Sequence, residues 1–160
     1  MAPRVAIPGS EVNLQSGGSW IPADSNEQIT ATIILRRPTH AADLSHQLLS
    51  GTLPSMTREQ AADYMRVDPN DLAAVRAFTQ TYGLAVVTEN AEARTIQVRG
   101  SVTQIGQAFG VAIAVQVDPE GRQYLSYQGA LSVPENLAGV VEAVLGLDRR
   151  PVDRRRAKSV

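Results

Sequence analysis

Apolar and polar residues alternate from Ile29 to Leu35, with only Ile34 out of step. A period of two is the mark of a half-buried strand, so Ile29, Ala31, Ile33 and Leu35 are predicted on one side and Thr30, Thr32 and Ile34 on the other. "TIQVRG" repeats the pattern, with Ile96 and Val98 opposed to Thr95, Gln97 and Arg99, and the "AEA" spacer joins it to "LAVVTEN" as a hairpin. In "VAIAVQVD" the same logic turns Val111, Ile113, Val115 and Val117 inward and Ala112, Ala114 and Gln116 outward. "PEGR" then turns the chain into "QYLSYQG".

Between these segments the period changes to that of a helix. Asp68 is placed as an N-cap, Pro69 at the first helical position, Asp71 in the first turn and Gly83 as the stop, with Leu72, Val75, Phe78 and Tyr82 as the buried stripe. "SVTQIGQAFG" sets Val102, Ile105 and Phe109 on one helical face before Gly110. Two short helices are predicted in "HAADLSHQLLSG" and "TREQAADYM", the second opened by Thr57 with Gln60 in capping-box register. A final helix is predicted from Ser132 to Gly146, because Ser132 and Glu135 match a capping box and Leu137, Val140, Val141, Val144 and Leu145 follow the helical spacing.

From Gln28 to Asp118 the order is strand, helices, strand, strand, helix, strand. This predicts an α+β, ferredoxin-like (split βαβ) fold with an antiparallel sheet and its helices on one face. Residues 1–27, with "SGGS" and prolines at 3, 8 and 22, read as a loose lead docked by Trp20 and Ile21; residues 28–148 form the domain, and 149–160 a basic strip. The sheet face without helices would carry Thr30, Thr32, Ile34, Thr95, Gln97, Ala112, Ala114 and Gln116. It is either an ordinary solvated face or a docking surface for another domain.

Charge sharpens the picture at one end. The net charge of -1 conceals six basic residues and one acidic one from Arg149 onward, which leaves nine basic against fifteen acidic in the body. Nucleic-acid binding suits the charge of the strip but not the 4% aromatic content, the acidic body or the lack of a recognition motif. A solvated terminus and an exposed interdomain linker are the other two readings.

Chemistry is sparse. With 160 residues and 43% hydrophobic content the chain can build one core. The absence of cysteine removes disulfides, thiolate zinc sites and thiol catalysis. His40 and His46 stand six apart, not the three or four of a helical metal pair. "GTLPS" is no nucleophile elbow, and the glycines of "GSVTQIGQAFG" do not fit a dinucleotide fingerprint. Glu89, Glu92, Asp118 and Glu120 fall near turns and read as solvated surface. No apolar run approaches the roughly 20 residues of a membrane span, and "MAPRVAIPGSEV" lacks the apolar stretch of a secretory signal. No catalytic or metal-ligating set emerges. A regulatory ligand-binding domain and a basic-tailed nucleic-acid module stay open as alternatives.

"TATIILRRP", then "QAFGV", then "GRQYLSYQGALSVPENLAGVVEAVLGLDRRP" occur in that order. In this combination the chain, from about Gln28 to Pro151, resembles the amino-terminal activation domain of sedolisins, the kumamolisin-type serine-carboxyl peptidases. The resemblance implies a fold like that of subtilisin prodomains, a sheet packed on a catalytic domain in cis, assistance to its folding, and inhibition until acid-triggered autoprocessing. It also implies that Arg149, Arg150, Pro151, Val152, Asp153, Arg154, Arg155 and Arg156 lie in a processing linker that passes through the substrate cleft. The family's catalytic serine, glutamate and aspartate belong to the domain that follows, as would its calcium, so this stretch is expected to be neither an enzyme nor a cofactor binder. The precursor is expected to act outside the cell, with no nucleic acid or membrane as partner.

Overall fold

The computed structural model describes residues 3–12, 18–38 and 66–149. The two helices expected in "HAADLSHQLLSG" and "TREQAADYM", together with His40 and His46, lie outside the described residues. In chain order the elements begin with β1 (Arg4–Ala6), β2 (Ser19–Pro22), β3 (Gln28–Leu35) and α1 (Pro69–Thr81). They continue with β4 (Ala85–Asn90), β5 (Thr95–Ser101), α2 (Val102–Phe109), β6 (Ile113–Val117) and β7 (Gln123–Tyr127). Last come β8 (Ser132–Pro134), a 3-10 turn (Glu135–Leu137) and β9 (Val141–Leu145).

The principal sheet runs β4-β5-β3-β9 and is antiparallel throughout. Numbered within the motif, that is second, third, first, fourth strand, the order of a ferredoxin-like fold, with α1 and α2 as its crossovers. Strand β3 alternates as its sequence demands: Ile29, Ala31, Ile33 and Leu35 are buried, while Thr30, Thr32 and Ile34 are half-buried. Ile96 and Val98 of β5 join the buried set. Onto that side α1 brings Val75 and Phe78, and α2 brings Val102, Ile105 and Phe109. The Phe78 and Phe109 rings meet tilted at 5.6 Å, and Phe78 stacks on Tyr82 at 5.2 Å, so an aromatic chain ties the helices together.

The helix ends obey their local chemistry. The Asp68 side chain accepts from the Asn70 amide, with Pro69 just inside α1. Ser101 and Gln104 cap α2 reciprocally, at 3.1 and 2.9 Å. Gly110 ends α2 at φ +71, and a Cβ there would strike the Ser132 hydroxyl.

Two sequence expectations are corrected. Residues 132–146 do not form a helix: they give β8, the 3-10 turn and β9, separated by Gly139 at φ +81. The apolar spacing there fits a helix by coincidence, but the β-branched Val140, Val141 and Val144 favour extended backbone, and the open edge of β3 offers them a ladder. Strand β6, expected in the principal sheet, belongs instead to a three-stranded sheet in the order β2-β6-β7. The β6 to β8 stretch is thus an insertion between α2 and the last strand of the motif.

The lead holds two paired strands. β2 pairs with β6, placing Trp20 opposite Gln116 and Ile21 opposite Val115. β1 pairs with β8, and Ile7 joins the core. Arg4 fastens this end: its guanidinium donates to the Tyr82 hydroxyl at 3.0 Å, the Ala108 carbonyl at 2.5 Å, and the Ser132 hydroxyl and carbonyl at 3.0 and 2.8 Å. A cation beside a late α2 carbonyl also complements the helix dipole.

Removing the Phe109 ring from between the helices is expected to cost about 3–5 kcal/mol. Gly110→Ala, which forces an L side chain into left-handed backbone against Ser132, is expected to cost about 1–3 kcal/mol. Urea unfolding of the purified domain checks both.

Candidate docking surface and linker root

Strand registry decides which side chains share the face turned away from the helices. Thr30 stands opposite Arg99, Thr32 opposite Gln97, and Ile34 opposite Thr95. On the far side of β5, Ala85, Thr88 and Asn90 continue these three rows, and the Thr88 hydroxyl reaches Gln97 at 3.4 Å. On the far side of β3, Leu145 lies opposite Thr32 and Ala143 opposite Ile34. Leu145 is 53% exposed. A bulge between Val86 and Thr88 turns β4 at the sheet's edge and leaves Val86 and Val87 uncovered.

Thr30, Thr32, Ile34, Thr95 and Gln97 thus fall together on one neutral, half-buried surface. Ala112, Ala114 and Gln116 do not join them. Ala112 precedes β6, Ala114 pairs with Pro22 and Ser126, and Gln116 is fully buried between Trp20 and Tyr124. Strand phase alone could not reveal this, because β6 pairs in a separate sheet with β7 and with β2 from the lead segment. Conversely, Ala143 and Leu145 were missed because their segment has helical spacing.

Arg99, opposite Thr30, is the charge in these rows, and the ion pairs sit elsewhere. Arg36 and Asp71 form a two-pronged pair at 2.8 and 3.0 Å that joins the end of β3 to the first turn of α1. Arg76 and Glu89 form another at 2.8 and 2.6 Å between α1 and β4. The Arg76 guanidinium holds the Glu89 carboxyl below the usual glutamate range. Asp118, expected to be solvated, is buried under the β6–β7 turn. There it accepts from the amides of Arg122 and Glu120 at 2.8 and 3.0 Å and from the Arg122 guanidinium at 2.6 Å. Burial pushes this carboxyl up, but the Arg122 amide and guanidinium together with the Glu120 amide outweigh it and hold it below the ordinary aspartate range.

The root of the basic strip is fixed. After β9, Gly146 turns at φ +96 with its Cα against the Thr30 carbonyl, where a Cβ would come within 3.1 Å. Leu147 is buried, and Asp148 accepts from the Ser126 hydroxyl at 2.9 Å. The Arg149 amide donates to the Leu125 carbonyl at 2.8 Å while its side chain is exposed. Beside it, Tyr127 donates to the Ser10 carbonyl at 2.6 Å; burial and the Asp148 charge raise its pKa. Arg150, Pro151, Val152, Asp153, Arg154, Arg155 and Arg156 lie outside the described residues.

Residues 20–150 match the model of the pro-kumamolisin activation domain. This chain belongs to that family. Kumamolisin from a Bacillus species is 33% identical over 138 residues, covering 83% of this chain and 25% of that protein. Tripeptidyl-peptidase sed5 of Aspergillus fumigatus is 25% identical over 146 residues, covering 79% and 25% respectively. The chain therefore spans about a quarter of the length of the relatives it matches. A pro-kumamolisin activation domain is a propeptide, and the α+β architecture is the one expected of it. Among its described residues no helix is long and apolar enough to cross a membrane.

Acid should act on this activation domain through its internal pairs. A carboxylate with a depressed folded pKa adds stability above its unfolded value and loses it as pH falls through the folded one. Glu89→Gln is accordingly expected to be less stable than the parent at neutral pH, with the gap closing below the usual glutamate range. Urea midpoints from pH 7 to pH 3 read this out.

Proposed function

We propose that this domain is the propeptide of a secreted, acid-acting serine-carboxyl endopeptidase, working as intramolecular chaperone and as an inhibitor released by low pH and removed by autoproteolysis. The partner is the catalytic domain of the same precursor, and it sits on the face of the β4-β5-β3-β9 sheet that no described helix covers. The observation that carries this reading is that face itself. Its centre is threonine, glutamine, alanine and isoleucine, chemistry that neither repels a protein surface nor leaves carboxylates to desolvate. The family's relatives being four times longer supplies the room for such a partner.

Inhibition follows from the linker root. Arg149 leaves the domain on a backbone hydrogen bond to β7, its exposed side chain donating back to the Gly146 carbonyl at 3.3 Å, so the strip after it can run as an extended substrate-like strand into the cleft and be cut there. Release follows from protonation. Losing the ionised forms of Glu89 and Asp118 loosens the attachment of α1 to the sheet and the β6–β7 turn, and a loosened lid binds less tightly.

Thr32→Asp and Ile34→Asp would each bury a lone charge only in the complex, so both are expected to weaken inhibition at least tenfold while leaving the thermal midpoint of the free domain nearly unchanged. The measurement is titration of the domain against the catalytic domain. Equal destabilisation of the isolated domain, or an inhibition constant that stays flat from pH 7 to pH 4, would count against the reading.

A further inference from the structure

Arg99 is an anomaly on the proposed docking face. Its row neighbours are Thr30 on one side and Ala85 on the other, and among the described residues it is the only ionised side chain in the paired rows of Thr30, Thr32 and Ile34. Four arginines of the framework are engaged, Arg36 with Asp71, Arg76 with Glu89, Arg122 with Asp118 and Glu120, and Arg4 with Tyr82, Ala108 and Ser132, whereas Arg94, off this face, keeps a buried Nε without an acceptor. No described residue supplies Arg99 with a hydrogen bond or an ion pair. A guanidinium carries five donors in a fixed planar fork, and a threonine hydroxyl beside an alanine methyl cannot satisfy them.

Resting on the docking reading above, we propose that Arg99 is the specificity-determining residue of this face and forms a two-pronged ion pair with a carboxylate of the catalytic domain. If the face is covered, Arg99 must leave water, and an arginine desolvated without an anion opposes association. A carboxylate matches the fork bidentately, fixes the rotational register of two otherwise featureless neutral surfaces, and disfavours partners that present a lysine or an apolar patch there. Arg99 sits one row from the Thr32 and Gln97 centre, so the pair acts as an off-axis pin rather than as the apolar middle of the contact.

The test uses the 160-residue chain and the catalytic domain encoded in the same reading frame, expressed apart with its serine nucleophile changed to alanine so that the complex is not processed. Dissociation constants are measured by calorimetry at pH 7 for the parent and for Arg99→Ala, Arg99→Met, Arg99→Lys and Arg99→Glu, alongside Ile34→Asp. Arg99→Ala and Arg99→Met are expected to weaken binding about tenfold or more, and Arg99→Glu about a hundredfold. Arg99→Lys should fall between the parent and Arg99→Ala, since it keeps the charge but loses the fork. All should retain the parent's thermal midpoint. If Arg99→Ala and Arg99→Met bind within about twofold of the parent while Ile34→Asp does not, the docking reading stands and the role of Arg99 is refuted. If Arg99→Met alone restores binding, the side chain packs rather than pairs, which also refutes it. An absence of any complex with the parent chain removes both ideas together.

Discussion

The registry of β3 against its two neighbours governs this molecule. One residue of slippage would turn Ile29, Ala31, Ile33 and Leu35 outward and bring Thr30 and Thr32 into the core. The registry is pinned from both sides, by Ile33 between Ile96 and Val144 and by Thr32 between Gln97 and Leu145. Burial of the first set under Phe78, Ile105 and Phe109 leaves the second set on the side where no described helix lies. The core and the candidate interface are therefore two consequences of a single alignment, and a shift of register would undo both.

Charge is distributed in keeping with that division. The ion pairs of Arg36 with Asp71 and Arg76 with Glu89 tie α1 to the strands, and the Asp118 cluster closes the β6–β7 turn. Pairs whose arginine stays in contact with solvent contribute modestly to stability. Their interest is that they hold Asp71, Glu89 and Asp118 in the framework, away from the rows of Thr30, Thr32 and Ile34, where Arg99 is the only charge among the described residues. On the reading proposed above, protons act on the framework and reach the face only by loosening the strands that carry it.

Much of this was legible in the sequence, and the failures have identifiable causes. Strands β3 and β5 announced themselves because each has one buried side and a clean period of two. Helix α1 was marked by Asp68, Pro69 and Gly83, residues whose backbone chemistry has few other uses. β9 was hidden because Leu137, Val140, Val141, Val144 and Leu145 have helical spacing, and only the vacant edge of β3, a tertiary fact, selects the strand. Gln116 was assigned to an open face by its phase along β6. Its burial comes from β2, nearly a hundred residues earlier, which sequence periodicity cannot bring alongside. Of the docking face, the rows on β3 and β5 were readable, while the contributions of Ala85, Thr88, Ala143 and Leu145 needed the strand order.

Because β6, β7 and β8 are interposed before β9, the strand that completes the principal sheet is among the last parts of the domain to be made, and its partner β3 is among the first. On a ribosome, β3 must wait through more than a hundred residues with one edge unsatisfied, so local helices and the β4–β5 hairpin assemble first and the long-range closure comes last. The surface is finished only when Leu145 has emerged, a few residues ahead of the basic strip. If the domain acts as the template proposed above, any polypeptide following that strip would meet it only just closed.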